Sequence, residues 1–180
     1  MKAKYTILFL ALALLILFAG CERDPDPDDP IKVPDQSFRY ALFNTLLDEN
    51  GELLIIDTDG NGNISYSEAE VVTYMNLGDQ GISDLTGIEA FINLEHLLCF
   101  ENDLNELDLS NNRELLSLYC SDNQLSSLNI SNNINLWILD VPEMPSLGEV
   151  CVWEMPFPPE TVLVNSGGSP NMYFTLNCSK

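Results

Sequence analysis

The stretches LEHLLCFENDL at 94–104 and LLSLYCSDNQL at 115–125 share one pattern of leucine, cysteine and asparagine, 21 residues apart. Other positions keep the same step: Leu94, Leu115 and Leu136; Leu97, Leu118 and Leu139; Cys99, Cys120 and Val141; Asn102 and Asn123; Leu104 and Leu125; Leu107 and Leu128; Leu109 and Ile130. This period is much longer than the 3.5 residues of a coiled coil, so each repeat is one turn of a stacked structure. Met75 and Leu77 lie 22 residues before Leu97 and Cys99, so the repeat begins near Met75.

The pattern LxxLxCxxNxL resembles the leucine-rich repeat. In such a repeat each L-x-L/C triplet is a short strand, and each asparagine bonds backbone groups that the turn would leave unpaired. Residues 107–109 and 128–130 form a second strand-like triplet in each coil. We therefore expect an α+β fold, in which residues 75–150 form a short, flattened leucine-rich repeat solenoid of about three to four coils of 21–22 residues.

Residues 57–68, DTDGNGNISYSE, precede the repeats and are rich in oxygen ligands. They fill every position of the pattern D-x-[DN]-x-[DN]-G-x5-E and so resemble the calcium loop of the EF-hand. The resemblance implies Ca²⁺ as the cofactor, with Gly62 permitting the sharp turn. The candidate ligands are Asp57, Asp59, Asn61, the Asn63 carbonyl, Ser65 and Glu68. The other interpretation is a polar turn that binds no ion.

Two helices are predicted beside this loop, over residues 37–47 and 65–75. Ser65 and Glu68 form a capping box at the start of the second helix. The first coil of a solenoid leaves an apolar face open unless another element covers it. We therefore expect residues 37–74 to be a helical, EF-hand-like N-cap whose shape calcium fixes.

The chain begins with a processing segment, in which Lys2 and Lys4 precede the apolar run 7–18. The residues up to Cys21 resemble the lipobox of bacterial lipoproteins, which implies a signal peptide at 1–20 and a lipid on Cys21. The other interpretation is an ordinary signal peptide followed by a coincidental cysteine. We expect no membrane attachment other than this lipid, because no later apolar run is longer.

Residues 22–30, ERDPDPDDP, are too acidic and proline-rich to bury apolar area, so residues 21–36 are predicted to be an extended tether. The run resembles the export signal of surface-exposed lipoproteins in Bacteroidota, or it is a plain linker. The formal net charge of the chain is −21, which argues against nucleic acid as a partner.

Residues 34–180 resemble the internalin-like leucine-rich repeat lipoproteins of Bacteroidota. The motifs are PD-x-x-F at 34–38, the loop at 57–68, ISDLTGIE at 82–89, and repeats that end in N-x-L-x-x-L-D-L-S. The resemblance implies a binding role at the cell surface or in the periplasm. We expect the protein to be lipid-anchored in the bacterial envelope, in the outer membrane and exposed at the cell surface, with the periplasmic side as the other interpretation.

Residues 151–180 lose the leucine step and contain strand-like runs at 161–164 and 172–176, so they are predicted to be a small β-type C-terminal cap. A Cys151–Cys178 disulfide would staple this cap in an oxidising compartment, although spacing alone does not decide it. Cys99 and Cys120 occupy inward positions in adjacent coils. They are either buried free thiols or an inter-coil disulfide.

Residues next to the inward positions of the first strand in each coil are expected to face outward and to form an interface. This candidate binding face comprises His96, Leu98, Phe100, Tyr119, Trp137 and Ile138. The other interpretation is that the C-terminal segment covers it. His96 is the only histidine, and no nucleophile stands at a recognisable spacing from it, so the chain is not expected to be an enzyme.

Two functions remain open from the sequence. The first is a membrane-anchored, calcium-binding module that recognises a protein or a glycan at the cell surface. The second is a structural or assembly lipoprotein of the envelope, in which calcium only stabilises the fold.

Overall fold

Short strands stack into two parallel sheets in the computed structural model, which describes residues 25–178. The helices are α1 (Gln36–Asn44), α2 (Tyr66–Ala69) and one 3-10 helix (Ile88–Ala90). The strands are β1 (Tyr74–Asn76), β2 (His96–Leu98), β3 (Ser117–Tyr119), β4 (Ser127–Asn129), β5 (Ile138–Asp140), β6 (Glu149–Cys151), β7 (Leu163–Asn165) and β8 (Tyr173–Thr175). Within the described residues, no helix has the length and apolar character needed to cross a membrane.

The first sheet has the order β1-β2-β3-β5-β7, one strand from each coil. Met75 pairs with Leu97, Leu97 with Leu118, and Leu118 with Leu139. The second sheet has the order β4-β6-β8, and only an isolated bridge from Asp108 to Asn129 extends it toward the first coils. The predicted leucine-rich repeat solenoid is therefore confirmed, with five strands along its first sheet.

The interior of the solenoid is formed by side chains that recur once in each coil. The middle residues Met75, Leu97, Leu118 and Leu139 of the first sheet are all 0% exposed. Each covers the equivalent residue of the next coil, because parallel strands in register stack like on like about 4.8 Å apart. Burial of these apolar columns drives the coils together.

Two buried asparagines pair backbone groups at the corners that follow β2 and β3. The Asn123 Nδ2 donates to the carbonyls of Cys99, Cys120 and Ser121 at 2.9–3.1 Å, and its Oδ1 accepts from the Leu104 N–H. Asn102 occupies the same place one coil earlier and donates to the Leu77 carbonyl at 2.8 Å. The predicted role of asparagine in the turn is confirmed.

A second pair of buried asparagines lies at the opposite corner. The Asn112 Nδ2 donates to the carbonyls of Ile88 and Phe91, and the Asn133 Nδ2 donates to those of Leu109 and Asn112. Both side chains are 0% exposed. Their Oδ1 atoms accept no hydrogen bond from the described residues, so these amides act as donors only.

The C-terminal segment continues the solenoid, although the sequence predicted a separate cap there. β7 pairs with β5 and β8 with β6, both in parallel. Ile138 pairs with Leu163, so this step is 25 residues long and does not match the 21-residue period of the earlier repeats. The Ser169 Oγ donates to the Val141 carbonyl and accepts from the Met144 N–H, as the asparagine does in earlier coils. The structure joins Cys151 to Cys178 in a disulfide.

The N-terminal unit differs from the predicted helix–loop–helix. Helix α1 lies where it was expected, with Asp35 as its N-cap. The predicted helix 65–75 was wrong beyond its first turn, because α2 ends at Ala69 and residues 74–76 become β1. Val71, Val72, Thr73 and Tyr74 favour strand over helix, and pairing of Met75 with Leu97 adds the backbone bonds that a longer helix would forfeit.

Part of the predicted tether is packed on the folded unit. Pro30 forms an antiparallel bridge with Ser65, and the Ile31 N–H donates to the Ile64 carbonyl at 2.8 Å. The Ile31 side chain is 7% exposed. The expectation of a free segment as far as residue 36 was therefore wrong, because Ile31 supplies the apolar anchor that the preceding acidic run lacks.

Asp35 joins two of the sequence motifs that lie far apart in the chain. Its Oδ1 accepts from the Phe38 N–H and so caps α1, while its Oδ2 accepts from the Ser83 N–H, the Ser83 Oγ and the Asp84 N–H. Beside it, Gly87 has φ 108°, and a Cβ there would collide with the Lys32 carbonyl oxygen. The PD-x-x-F and ISDLTGIE motifs therefore form one joint between α1 and the first coil.

We expect Asn123→Ala to lower the free energy of unfolding by about 2–3 kcal/mol, because buried backbone groups lose their partners. The measurement is denaturant unfolding followed by circular dichroism. Asn105→Ala is the matched control, since Asn105 is exposed and should change stability by less than about 0.5 kcal/mol. Equal losses in the two variants would contradict the role of the buried amide.

Burial raises the pKa of Asp35, but the hydrogen bonds from Phe38, Ser83 and Asp84 outweigh it and hold the pKa below its ordinary 3.8. The ionised carboxylate therefore stabilises the fold above that pH, and its contribution is lost as the pH falls through the lower folded-state pKa. Unfolding measured from about pH 5 down to pH 3 should show a shallower loss of stability in Asp35→Asn than in the unsubstituted chain. Glu114→Gln controls for net charge. Identical slopes for Asp35→Asn and the unsubstituted chain would argue against the joint.

Candidate functional site

The loop at 57–68 folds around its own acidic side chains. The Asp57 carboxylate accepts from the N–H groups of Asn61 and Gly62, at 3.1 and 2.9 Å. The Asp59 carboxylate also accepts from the Asn61 N–H and from the Asn61 Nδ2. Gly62 has φ 82°, a left-handed conformation that glycine adopts without strain. The loop is thereby wound so that its carboxylates face inward.

Glu68 closes the loop from the first turn of α2. Its Oε1 accepts from the Thr58 N–H at 2.7 Å and from the Thr58 Oγ1, and its Oε2 accepts from the Ser65 N–H and Oγ. The bonds with Ser65 complete the predicted capping box. Burial raises the pKa of Glu68, but the hydrogen bonds from Ser65 and Thr58 together lower it from 4.5 to about 2. The carboxylate is therefore ionised at neutral pH.

The donor set of the loop fits a hard cation. One carboxylate oxygen from each of Asp57, Asp59 and Glu68 lies within 4.8 Å of the other two. Carboxylate oxygens at that separation repel one another, and a divalent cation among them would relieve the repulsion. Ile64, beneath the loop, is 2% exposed. These residues are therefore able to hold a metal ion.

The other predicted ligands, Asn61, the Asn63 carbonyl and Ser65, lie in the same loop, and their role in binding an ion stays a prediction. The Asn61 Oδ1 accepts from the Asn63 N–H, and the Ser65 Oγ donates to Glu68. The Arg39 Nη2 donates to the Gly62 carbonyl at 2.7 Å and so ties α1 to the loop. The carboxylates of Asp57, Asp59 and Glu68 converge, and Asn61, Asn63 and Ser65 form hydrogen bonds within the loop through the Asn61 side chain, the Asn63 N–H and the Ser65 Oγ.

Four residues of the predicted binding face flank the inward residues of the first sheet, on the side that we call the outer face: His96, Leu98, Tyr119 and Ile138. Phe100 and Trp137 adjoin these strands in the chain. Trp137 is 45% exposed, and His96, Leu98, Phe100, Tyr119 and Ile138 are half-buried. The C-terminal segment adds β7 to the edge of the sheet and leaves Leu163 64% exposed there. Because the segment lies beside the strands, the outer face stays open to solvent.

A shallow groove of about 340 Å³ crosses the outer face near its N-terminal end. It is lined by Glu49, Tyr74, His96, Leu98, Ser117 and Tyr119. The Tyr74 and His96 rings lie 6.3 Å apart, centroid to centroid. Apolar and aromatic walls with a few polar groups are typical of a recognition groove.

His96 forms a 2.7 Å hydrogen bond through its Nδ1 with the Ser117 Oγ, a contact that spacing did not reveal. The two residues pair across β2 and β3, since His96 is in register with Ser117. Ser117 is only 3% exposed, so its oxygen is not placed to attack a bound substrate. The bond fixes the imidazole in the groove.

A column of acidic residues borders the outer face, and the sequence patterns considered above did not predict it. We call Asp79, Glu101, Asp122 and Glu143 the acidic column. All four are exposed and have φ between 51° and 54°, at the corners after β1, β2, β3 and β5. None has a hydrogen-bond or ion-pair partner for its carboxylate within residues 25–178. The signal was present, since these positions are 22, 21 and 21 residues apart.

The second sheet carries a larger trough of about 640 Å³, lined by polar residues and by Leu107. Its lining consists of residues 105–108, Ser110, Ser126, Ser127 and Asn129. Leu107 is the one apolar residue of this lining, and no aromatic side chain lies among the others, so the trough offers a partner no aromatic anchor. The outer face is therefore the better candidate for recognition.

Cys99 and Cys120 are free, fully buried thiols in adjacent coils. Burial raises the pKa of Cys99 to about 12, and burial together with the nearby Cys99 and Asp140 raises that of Cys120 well above its ordinary value. A thiol that stays protonated is a poor nucleophile. These cysteines therefore act as small apolar side chains. Cys21, the predicted lipid site, and the predicted signal peptide lie outside the described residues.

No protein-family model matches the sequence, and no curated protein matches it significantly. Solved structures do resemble the fold. The functional domain of InlJ from Listeria monocytogenes, described as including a cysteine ladder, superposes with a TM-score of 0.52 and 23% identity. That match covers 69% of this chain and 29% of that one.

An internalin from Listeria monocytogenes, inlF, gives a TM-score of 0.51 at 14% identity, covering 86% of this chain and 46% of its own. The CBM51-2 and INT domains of Clostridium perfringens ZmpB give a TM-score of 0.44 at 24% identity, over 59% of this chain and 21% of that one, which is too low to support an argument. This chain spans less than half the length of either internalin structure. Its structural neighbours are internalins, and the likeness lies in the leucine-rich repeat solenoid.

Proposed function

We propose that this chain is a recognition module, which binds a protein or a glycan through the outer face of its solenoid. The observation that carries the proposal is the grouping of solvent-accessible apolar side chains, including Leu98, Tyr119 and Trp137, on one side of a rigid sheet. Grouped exposed apolar residues favour an interface over chance. The internalin-like fold supports the same assignment.

In this proposal calcium binds Asp57, Asp59 and Glu68 and stabilises the N-terminal unit. The loop is connected to α1 through Arg39, and α1 is connected to the first coil through Asp35. An ion in the loop therefore supports the end of the solenoid next to the groove. The unit serves as an EF-hand-like cap in position, although its second helix is short.

We propose that the residues before the folded unit attach the protein to a membrane. The lipobox-like sequence ending at Cys21 supports a lipid anchor in the bacterial envelope, with the outer membrane and the cell surface as the proposed location. The resemblance to lipoproteins of Bacteroidota supports the same location. The tether would then be the acidic stretch that precedes the packed residues at Pro30 and Ile31.

Calcium should raise the thermal stability of the chain. If the dissociation constant is about 10⁻⁴ to 10⁻⁵ M, millimolar calcium adds roughly 1.4–2.7 kcal/mol, or about 5 °C in melting temperature. The measurement is a thermal melt of residues 22–180 in 2 mM calcium and in excess chelator. Asp59→Asn should abolish the difference, and Asp103→Asn, an acid outside the loop, should preserve it. Identical melting temperatures of the unsubstituted chain in the two conditions would contradict the proposed calcium site.

Alanine at both Tyr119 and Trp137 should abolish binding to a partner while leaving the melting temperature unchanged, because both side chains reach the surface. The partner is first found by a binding screen of residues 22–180 against envelope proteins, host surface proteins and glycans. Tyr173→Ala is the control, since Tyr173 is 55% exposed on the second sheet. If the double variant still binds, the face is wrongly assigned. If the folded chain finds no partner with or without calcium, the structural role in the envelope replaces recognition.

A further inference from the structure

The outer face combines apolar area with charge of a single sign. Its apolar side chains lie next to the acidic column, whose four members follow the sheet along the solenoid. Asp140 and Glu49 add carboxylates on the face and in the groove. A partner of this surface must therefore satisfy both an apolar strip and an adjoining acidic strip.

No basic side chain of the described residues neutralises the acidic column. The basic residues within 25–178 are Lys32, Arg39 and Arg113. Arg39 donates to Gly62 and lies 5.0 Å from the centre of the Phe43 ring, so it is used by the N-terminal unit. Successive coils place like charges about 5 Å apart, where each pair repels by up to about 1 kcal/mol in water. A cationic partner would relieve that repulsion on binding.

The residues of the acidic column adopt a left-handed backbone conformation that glycine would adopt more easily. The presence of acids there indicates that negative charge at this corner is favoured over the stability that glycine would bring. The fifth coil has glycine at the equivalent position, Gly168, with φ 78°. Glu101 and Glu143 adopt the left-handed conformation without the relief that glycine would bring. Retaining glutamate there costs stability. The Glu143 carboxylate packs against Gly168 of the fifth coil, where an added Cβ would lie 2.6 Å from the Glu143 Oε1, whereas the Glu101 carboxylate has no hydrogen-bond partner within residues 25–178.

Building on the proposed recognition function, we infer that the outer face binds a basic, amphipathic protein segment. Lysine or arginine side chains of the partner pair with the acidic column, and its apolar side chains cover Leu98, Tyr119 and Trp137. A helix aligned with the solenoid axis matches this surface, because its turns repeat every 5.4 Å and the coils about every 4.8 Å. Its lysine stripe would follow the column over its whole length.

The test uses residues 22–180 and titration calorimetry with a synthetic helical peptide that has adjoining leucine and lysine stripes. One comparison peptide has glutamate in place of lysine, another has serine in place of leucine, and a panel of neutral oligosaccharides is titrated in parallel. We expect binding of the lysine–leucine peptide alone, with an affinity that falls as salt rises from 50 to 500 mM.

The decisive variant neutralises the acidic column: Asp79→Asn, Glu101→Gln, Asp122→Asn and Glu143→Gln. It should weaken peptide binding by roughly tenfold or more. The matched control makes the same change in net charge at four exposed acids elsewhere, with Gln at Glu106, Glu114, Glu154 and Glu160, and should weaken binding less than about twofold. If the quadruple variant does not fold, Asp79→Asn with Asp122→Asn replaces it, since asparagine tolerates the left-handed conformation.

Equal weakening in both variants would mean that net charge alone attracts the peptide, and would overturn the inference. Equal binding of the glutamate peptide, or binding of an oligosaccharide alone, would also overturn it. If the glutamate peptide or the oligosaccharide binds, and the double variant Tyr119→Ala with Trp137→Ala abolishes that binding, the outer face is still a recognition surface. Only the inference that its partner is basic is then wrong. If no probe binds, both the inference and the recognition function lose their support.

Discussion

The tight coil depends on amides that reach into its corners. A coil of about 21 residues turns so sharply that several carbonyls point inward, where no water reaches them. Asn102 and Asn123 supply donors at one corner and Asn112 and Asn133 at the other, each bridging to the preceding coil. The leucine columns could not close on one another if these carbonyls stayed unpaired, because the cost of burying them would offset the apolar gain.

Side chains that form hydrogen bonds to two elements at once also connect the N-terminal unit to the solenoid. A single carboxylate, Asp35, both caps α1 and binds the backbone of the first coil, so the helix and the coil cannot separate without exposing acceptors and donors together. Glu68 acts similarly within the loop, where it binds Thr58 on one side and Ser65 on the other. The outer face begins directly after these joints. Its geometry therefore depends on charges that lie outside it.

The register of the first sheet was predictable from sequence, because identical positions stack when the step is constant. The grouping of the carboxylates in the loop at 57–68 was predictable too, since twelve consecutive residues fix their arrangement. The fifth coil was not, because its step of 25 and the replacement of asparagine by Ser169 hide the pattern. The contacts of Ile31 with Ile64 and of Asp35 with Ser83 join distant segments, which no local pattern encodes. The acidic column had a visible period, but its alignment beside the apolar face required the corner geometry.

The constant step also bears on how such a chain changes length over evolution. Loss of residues 94–114 would bring Leu118 beside Met75 and Asn123 where Asn102 now meets the Leu77 carbonyl, so every corner would keep its amide. Gain of one unit would work in the same way. Selection can therefore shorten or extend the outer face and the acidic column together, one coil at a time, while the N-terminal unit and the last coil stay unchanged. The length of the outer face and the stability of the two ends of the solenoid can then change independently.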